Sequence, residues 1–420
     1  MPEGDARQTE AQHARRDVLK FVATLLVVLL AGFSTCATTP EPSSPSSTSG
    51  AATKTVAPAS TTDEDAGAAN ASPGTDATPA PSVATLASGA VLPGCVPRAP
   101  KGSATVTFAA SGHAWALNPD GTGLTCLFAV EDVGPFEWGP LGDRVLLGGL
   151  EVKYLAAGSH LAASGTTFTA ITWSRPTGKS IVYAPVGAAT LEKVLVDGSP
   201  GQHVTPLESS KYLSVAYHPS GEAYAFAVER EGGESIWMST NTGATPVRLV
   251  FSTEGTTFGA IGFEADGKHL LYAAQHADNH AELHRISITD TTKSPVMFEG
   301  PVGPMILDVR PGLTTGTFAW TSGTSSCADT VAMARTPTGT APALPDTARP
   351  TRAVGWLSET SLLVAAGGCH EPLDLFAVDA SAGTIVALVS GVSAAAVRTP
   401  VPTPPAALPA AVATLGSGFS

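Results

Sequence analysis

Short apolar runs recur along most of the chain, separated by turns built from Gly, Pro, Asp, Asn and Ser. The clearest unit spans Ile171 to Leu207. Ile171–Trp173 is an apolar run, and Ser174-Arg175-Pro176-Thr177-Gly178-Lys179 is a Pro/Gly-punctuated turn. Ser180–Ala184 is β-rich, Leu191–Val196 is a third run, and Asp197-Gly198 supplies a hairpin signal. His203–Pro206 completes the unit as a fourth, edge strand. Four short strands joined by tight turns predict one antiparallel sheet, the blade of a propeller.

Looser copies repeat this order. Phe136–Pro140 precedes Gly142-Asp143-Arg144, Val215–Pro219 precedes Gly221-Glu222, and Ile261–Phe263 precedes Asp266-Gly267-Lys268. Leu307–Pro311 and Val354–Ser358 are further copies. The anchor positions are Trp138, Trp173, Tyr217, Phe263, Val309 and Trp356, about 35 to 47 residues apart, which suits one four-stranded unit per repeat. The pattern resembles the TolB-type propeller repeat over about residues 103–400. In that family a unit reads roughly as Trp-Ser-Pro-Asp-Gly-Lys, then a strand, then a strand ending in Asp-Gly. TolB itself carries an α/β domain before its propeller, where this chain has a low-complexity tract. The resemblance implies binding of envelope proteins through the ring.

The expected fold class is all-β: a β-propeller of seven blades, with six as the alternative count. Ala104–Ala110, His113–Asn118 and Leu124–Val130 read as a blade that lacks its opening strand. Ser393–Arg398 is the strand expected to complete it and to close the ring from the other end of the chain. Six blades result if the short unit between Trp138 and Trp173 is an irregular insertion.

The N-terminal 92 residues read differently. Ala14-Arg15-Arg16-Asp17-Val18-Leu19-Lys20 resembles the twin-arginine export signal, and the apolar run Phe21–Phe33 suits a signal core better than a membrane span. Residues 1–36 are therefore expected to be a signal or anchor segment. Cys36 stands where bacterial lipoproteins carry their lipidated cysteine. Cleavage beyond Ala37 and an uncleaved anchor from Val18 to Ala37 are the alternatives. Residues 37–92 are rich in Ala, Pro, Ser and Thr, with too little apolar surface for a core, and are expected to be a disordered linker. Folded sequence is expected from near Val91 to Pro400, followed by a flexible tail, 401–420.

The chain has five cysteines. With Cys36 set aside, the expected bridges are Cys95 with Cys126, tying the entry segment to the first blade, and Cys327 with Cys369, between loops of adjacent blades. Four buried free thiols are the alternative.

Candidate chemistry is sparse. No Gly-x-Ser-x-Gly, phosphate-binding loop or His-Glu-x-x-His occurs. A formal charge of −13 argues against a nucleic-acid partner. His276, Asp278, His280, Glu282 and His284 form the one local cluster. Helical spacing would align its histidines, but the surrounding strands point to a solvated loop, and no metal, cofactor or catalytic residue is expected. The six tryptophans are expected to pack between blades rather than to line a sugar site. The resulting expectation is a monomeric, non-catalytic propeller, tethered at the membrane outside the cytoplasm, that binds an envelope protein or a cell-surface ligand. The alternative is a lactonase- or hydrolase-like propeller with a cation in its channel. For that role Glu137 and Asp308 are the only acidic residues near the inner-strand positions.

Overall fold

Seven antiparallel sheets, six of four strands and one of five, follow one another around a ring. The computed structural model describes residues 84–98, 105–130, 136–155, 159–161, 168–197, 199, 202–204, 207, 210–241, 245–324, 328–344, 348–368 and 370–398. The segment expected to be a signal (1–36), with Cys36, and Cys327, Cys369, the expected tail (401–420) and most of the expected linker (37–83) lie outside these residues.

Six blades run in simple order from the inner to the outer strand. Blade 2 holds Glu137–Trp138, Arg144–Leu147, Glu151–Tyr154 and Ser159–Leu161. Blade 3 holds Phe168–Trp173, Ser180–Pro185, Leu191–Leu195 and Gln202–Val204. Blade 4 holds Lys211–Tyr217, Ala223–Arg230, Gly233–Thr240 and Val247–Phe251. Blade 5 holds Thr257–Phe263, His269–Gln275, His280–Ser287 and Val296–Val302. Blade 6 holds Met305–Pro311, Phe318–Gly323, Val331–Thr336 and Gly339–Pro342. Blade 7 holds Thr351–Trp356, Ser361–Ala366, Leu373–Asp379 and Ile385–Val392.

Blade 1 is composite. Ala394–Arg398 is its inner strand, paired to Thr105–Ala110 with Thr107 opposite Ala396, and His113–Leu117 and Thr125–Ala129 follow outward. The count is seven, because the short stretch after Trp138 builds a genuine blade with strands of only two to four residues. Ordered chain also begins earlier than the Val91 boundary expected from composition. Thr85–Leu86 adds a fifth, outermost strand to blade 7, opposite Val389 and Ser390, and buried Ala84 joins the adjacent core. Two residues suffice there because the outer edge of blade 7 offers unpaired backbone groups.

Strand alternation explains why the second strand of each blade is almost wholly apolar. In Ala223–Arg230, Tyr224, Phe226 and Val228 pack toward blade 3, while Ala223, Ala225 and Ala227 pack toward blade 5. Successive side chains leave opposite faces, so both faces are core. Seven such clusters occur among the described residues, one for each pair of neighbouring blades, including blade 7 against blade 1. Five of the six tryptophans are buried in these interfaces, and Trp237 is half-buried under the Arg248 guanidinium. Two anchors also bond backward: Trp138 Nε1 donates to Thr107 Oγ1 (2.8 Å) and Trp356 Nε1 to the Arg310 carbonyl (2.9 Å).

The turn after the anchor has its own physical reason. Gly221 and Gly267 have φ of 77° and 64°, and a Cβ there would stand 1.7 Å from the Arg175 carbonyl oxygen and 2.6 Å from His218 Nε2. Each turn presses on its counterpart in the preceding blade, so this glycine serves both the left-handed backbone and the contact. Hydrogen bonds follow the same path: His218 Nε2 donates to the Gly267 carbonyl (2.6 Å), and Arg398 Nε to the Gly142 carbonyl (2.7 Å). The second of these joins the C-terminal strand to blade 2.

Candidate functional site

The inner strands enclose a channel of about 1010 Å³. Bulges interrupt the inner strands of blades 3, 4, 5, 6 and 7, and Thr169, Leu213, Ala260, Leu307 and Val354, one at each bulge, line the channel. A bulge re-aims a side chain that regular pleating would turn elsewhere. The walls are therefore largely small or apolar, with Thr169, Thr172, Ser214, Thr257 and Ser393 among the polar exceptions.

Charge is concentrated toward the ends of the inner strands. Glu137 of blade 2, Arg175 just beyond the inner strand of blade 3, and Asp308 and Arg310 of blade 6 line the channel there, and Arg352, near the start of the inner strand of blade 7, lines it as well. Asp308 and Arg310 form a direct pair, Nε to Oδ2 at 2.7 Å, and that carboxylate raises the basicity of the guanidinium. Glu137 and Arg175 differ. Among the described residues neither side chain makes a hydrogen bond. Burial pushes the Glu137 carboxyl above its ordinary range, against the pull of Arg310 and Arg175. Burial likewise lowers the affinity of Arg175 for its proton, with Glu137 opposing. The Arg175 side chain is enclosed by the ring yet open to water in the channel. Sequence analysis marked Glu137 and Asp308; it missed Arg175 and Arg310, which sit two residues and one residue past their anchors, Trp173 and Val309.

This collar is a poor cation cage. Its two carboxylates come with two guanidiniums, and Asp308 is already neutralised by Arg310. Lactonase-like chemistry would need several carboxylates or histidines to converge without such counter-charge. Among the described residues, the collar offers one guanidinium and one carboxyl that make no side-chain hydrogen bond, both lining a largely apolar-walled channel.

The other candidate residues fall elsewhere. Cys95 and Cys126 are bonded, with Cα atoms 5.4 Å apart, and fasten the entry segment to the outer strand of blade 1. The Arg98 amide reinforces this by donating to the Cys126 carbonyl (2.8 Å). The histidine cluster is not the free loop expected from the sequence. His276–Asn279 is a tight turn and His280 opens the third strand of blade 5, so His280, Glu282 and His284 share one face of a strand. None of them lines the channel.

No protein-family model matches the chain, and no curated protein matches it. Solved structures similar to it are propeller-sized and distant. The nidogen/laminin complex aligns at 10% identity over 70% of this chain and 98% of that one, with a TM-score of 0.42. The Cps50 (Swd1) β-propeller domain of Myceliophteria thermophila aligns at 15% identity over 61% and 86%, with a TM-score of 0.43. A putative TolB from Agrobacterium tumefaciens aligns at 12% identity over 70% and 98%, with a TM-score of 0.42.

Proposed function

We propose that this chain is an exported, membrane-tethered binding propeller without catalytic function, and that its recognition site is the charged collar of the channel. The observation that carries the reading is the pair Glu137 and Arg175. A guanidinium open to the channel and a half-buried carboxyl, neither with a side-chain hydrogen bond among the described residues, favour a ligand that supplies a partner. The fitting partner is an envelope protein segment or cell-surface ligand that presents a carboxylate to Arg175 and a donor to Glu137. The address rests on Arg15-Arg16, the apolar run Phe21–Phe33 and Cys36. The tether is a lipid on Cys36, and residues 37–83 set the reach of the ring from the membrane.

The test is capture from an envelope extract with the wild-type protein and with Glu137→Gln/Arg175→Gln. The reading expects a partner enriched by the wild type and lost from the variant at equal thermal stability. The same partners on both proteins would contradict it. Fractionation of Cys36→Ser tests the tether separately: release into the soluble fraction is expected, and retention would mean an uncleaved anchor.

A further inference from the structure

The face of blade 5 away from the channel carries a second constellation. A tight turn, with Asn279 at φ 63°, brings His276 beside His280, whose carbonyl accepts the His276 amide (2.9 Å). The two rings stack 4.4 Å apart, 15° from parallel. Strand alternation then places Glu282 and His284 on the same face. All three Nε2 atoms converge on one carboxylate: His276 at 2.9 Å and His284 at 2.7 Å from Oε2, and His280 at 3.5 Å from Oε1.

The remaining ring nitrogens are also engaged. His280 Nδ1 meets the Asp278 carboxylate, His284 Nδ1 the Ser294 carbonyl (3.3 Å), and His276 Nδ1 the Thr256 hydroxyl (3.3 Å). Asp278, Glu282 and the Ser294 carbonyl only accept, so His280 and His284 each face an acceptor at both ring nitrogens. A neutral imidazole has one N–H, so each neutral ring turns a lone pair toward an oxygen. That contact is repulsive, and a cation taken up by the cluster relieves it. Three imidazolium protons on one carboxylate would crowd like charges, whereas one divalent ion satisfies the donors together. The Asp278–His280 contact is also the arrangement in which an outer carboxylate fixes the tautomer of a metal-binding histidine.

A neighbouring group gives the contrast. Glu264, Asp266 and His269 also converge, but Arg285 already supplies their cation, with Nε and Nη2 at 3.0 and 2.8 Å from the Glu264 oxygens. The His276 group has no such guanidinium or ammonium among the described residues.

We propose that His276, His280 and Glu282 bind a divalent transition-metal ion of the zinc class, with Asp278 and His284 positioning His280 and Glu282. Their donor atoms lie within 4.8 Å of one another, so small side-chain rotations bring them to one ion. Mixed imidazole and carboxylate donors favour zinc over calcium or magnesium. The ion would pin the turn at residues 276–279 to the strand that follows.

The test is calorimetric titration of the chelator-treated protein with zinc chloride, alongside its thermal unfolding. One ion per chain and a raised Tm are expected. His276→Asn/His280→Asn should lose both while keeping the Tm of the metal-free wild type. Asp278→Asn should weaken binding about 10- to 100-fold, as a positioning residue does. Equal heats in the wild type and the double variant, or none in either, would overturn the proposal. X-ray absorption on the zinc-loaded wild type gives an answer independent of any variant's folding. Two imidazoles in the first shell are expected, and a shell without imidazole would overturn the assignment.

Discussion

The channel collar and the histidine turn of blade 5 are both small polar groups on an apolar scaffold, yet they are built in opposite ways. Four collar residues come from blades 2, 3 and 6 and span positions 137 to 310 in the chain. They meet only because seven blades close into a ring. The histidine cluster occupies nine consecutive residues and needs one turn and one strand. Global closure creates the first group, and local register creates the second. Perturbing closure should therefore separate them.

The largest effect should come from opening the ring. Removing residues 393–420 takes away the inner strand of blade 1, exposes the edge of Thr105–Ala110, and removes the Arg398 bond to Gly142. A loss of about 5 kcal/mol or more is expected, lowering Tm by about 10 °C or more in calorimetry. The collar should fail as a binding site, while zinc still raises Tm through blade 5. Next comes Cys95→Ala/Cys126→Ala. The bridge closes a loop with a sequence separation of 31, so about 3–4 kcal/mol should be lost in denaturant titrations, with no change at either polar group.

His218→Gln probes the blade 4–blade 5 interface at the Glu264–Lys268 turn, at the other end of strand His269–Gln275 from the histidine turn. His218 is fully buried, with Nε2 on the Gly267 carbonyl and Nδ1 accepting from the Ser220 amide (3.1 Å). About 2 kcal/mol should be lost at pH 8. Burial holds this imidazole below its ordinary 6.5 and so neutral in the fold. The unfolded chain takes up a proton as pH falls through 6.5, so the His218 contribution is complete above that value and is lost progressively below it. The variant should therefore show a shallower loss of stability between pH 7 and 5.

The smallest effect should run the other way. Glu137 binds its proton more tightly in the fold than its ordinary 4.5, so it favours the fold at acid pH and opposes it once ionised. Glu137→Gln should raise Tm by about 1–3 °C at pH 7, and the gain should vanish near pH 4. A collar residue whose removal stabilises the ring is one kept for recognition.

These contrasts explain what could be read from the sequence. Anchors such as Trp173, Tyr217 and Phe263, with the glycine of the following turn, repeat because every interface makes the same demand. They revealed the blades and even the composite blade at residues 393–398. Blade 2 was harder, since its inner strand is only Glu137–Trp138. Thr85–Leu86 was hidden because a two-residue strand has no period and its neighbours resemble linker. Arg175 and Arg310 were hidden because nothing local says that a turn residue faces a channel. The histidines were visible but weighed against helical spacing. The alternation His280-x-Glu282-x-His284 on a strand, preceded by an Asp-Asn turn, is the signal that finds them.

The account depends most on the two ends of the described chain sharing blade 1. Ala109 and Ala394 are directly opposed in its innermost pair of strands, at a spacing a disulfide can span. Ala109→Cys/Ala394→Cys, oxidised in the folded state, digested and analysed by mass spectrometry, should give a crosslinked peptide joining positions 109 and 394. Both introduced thiols remaining open to alkylation in the folded protein would contradict the closure of the ring.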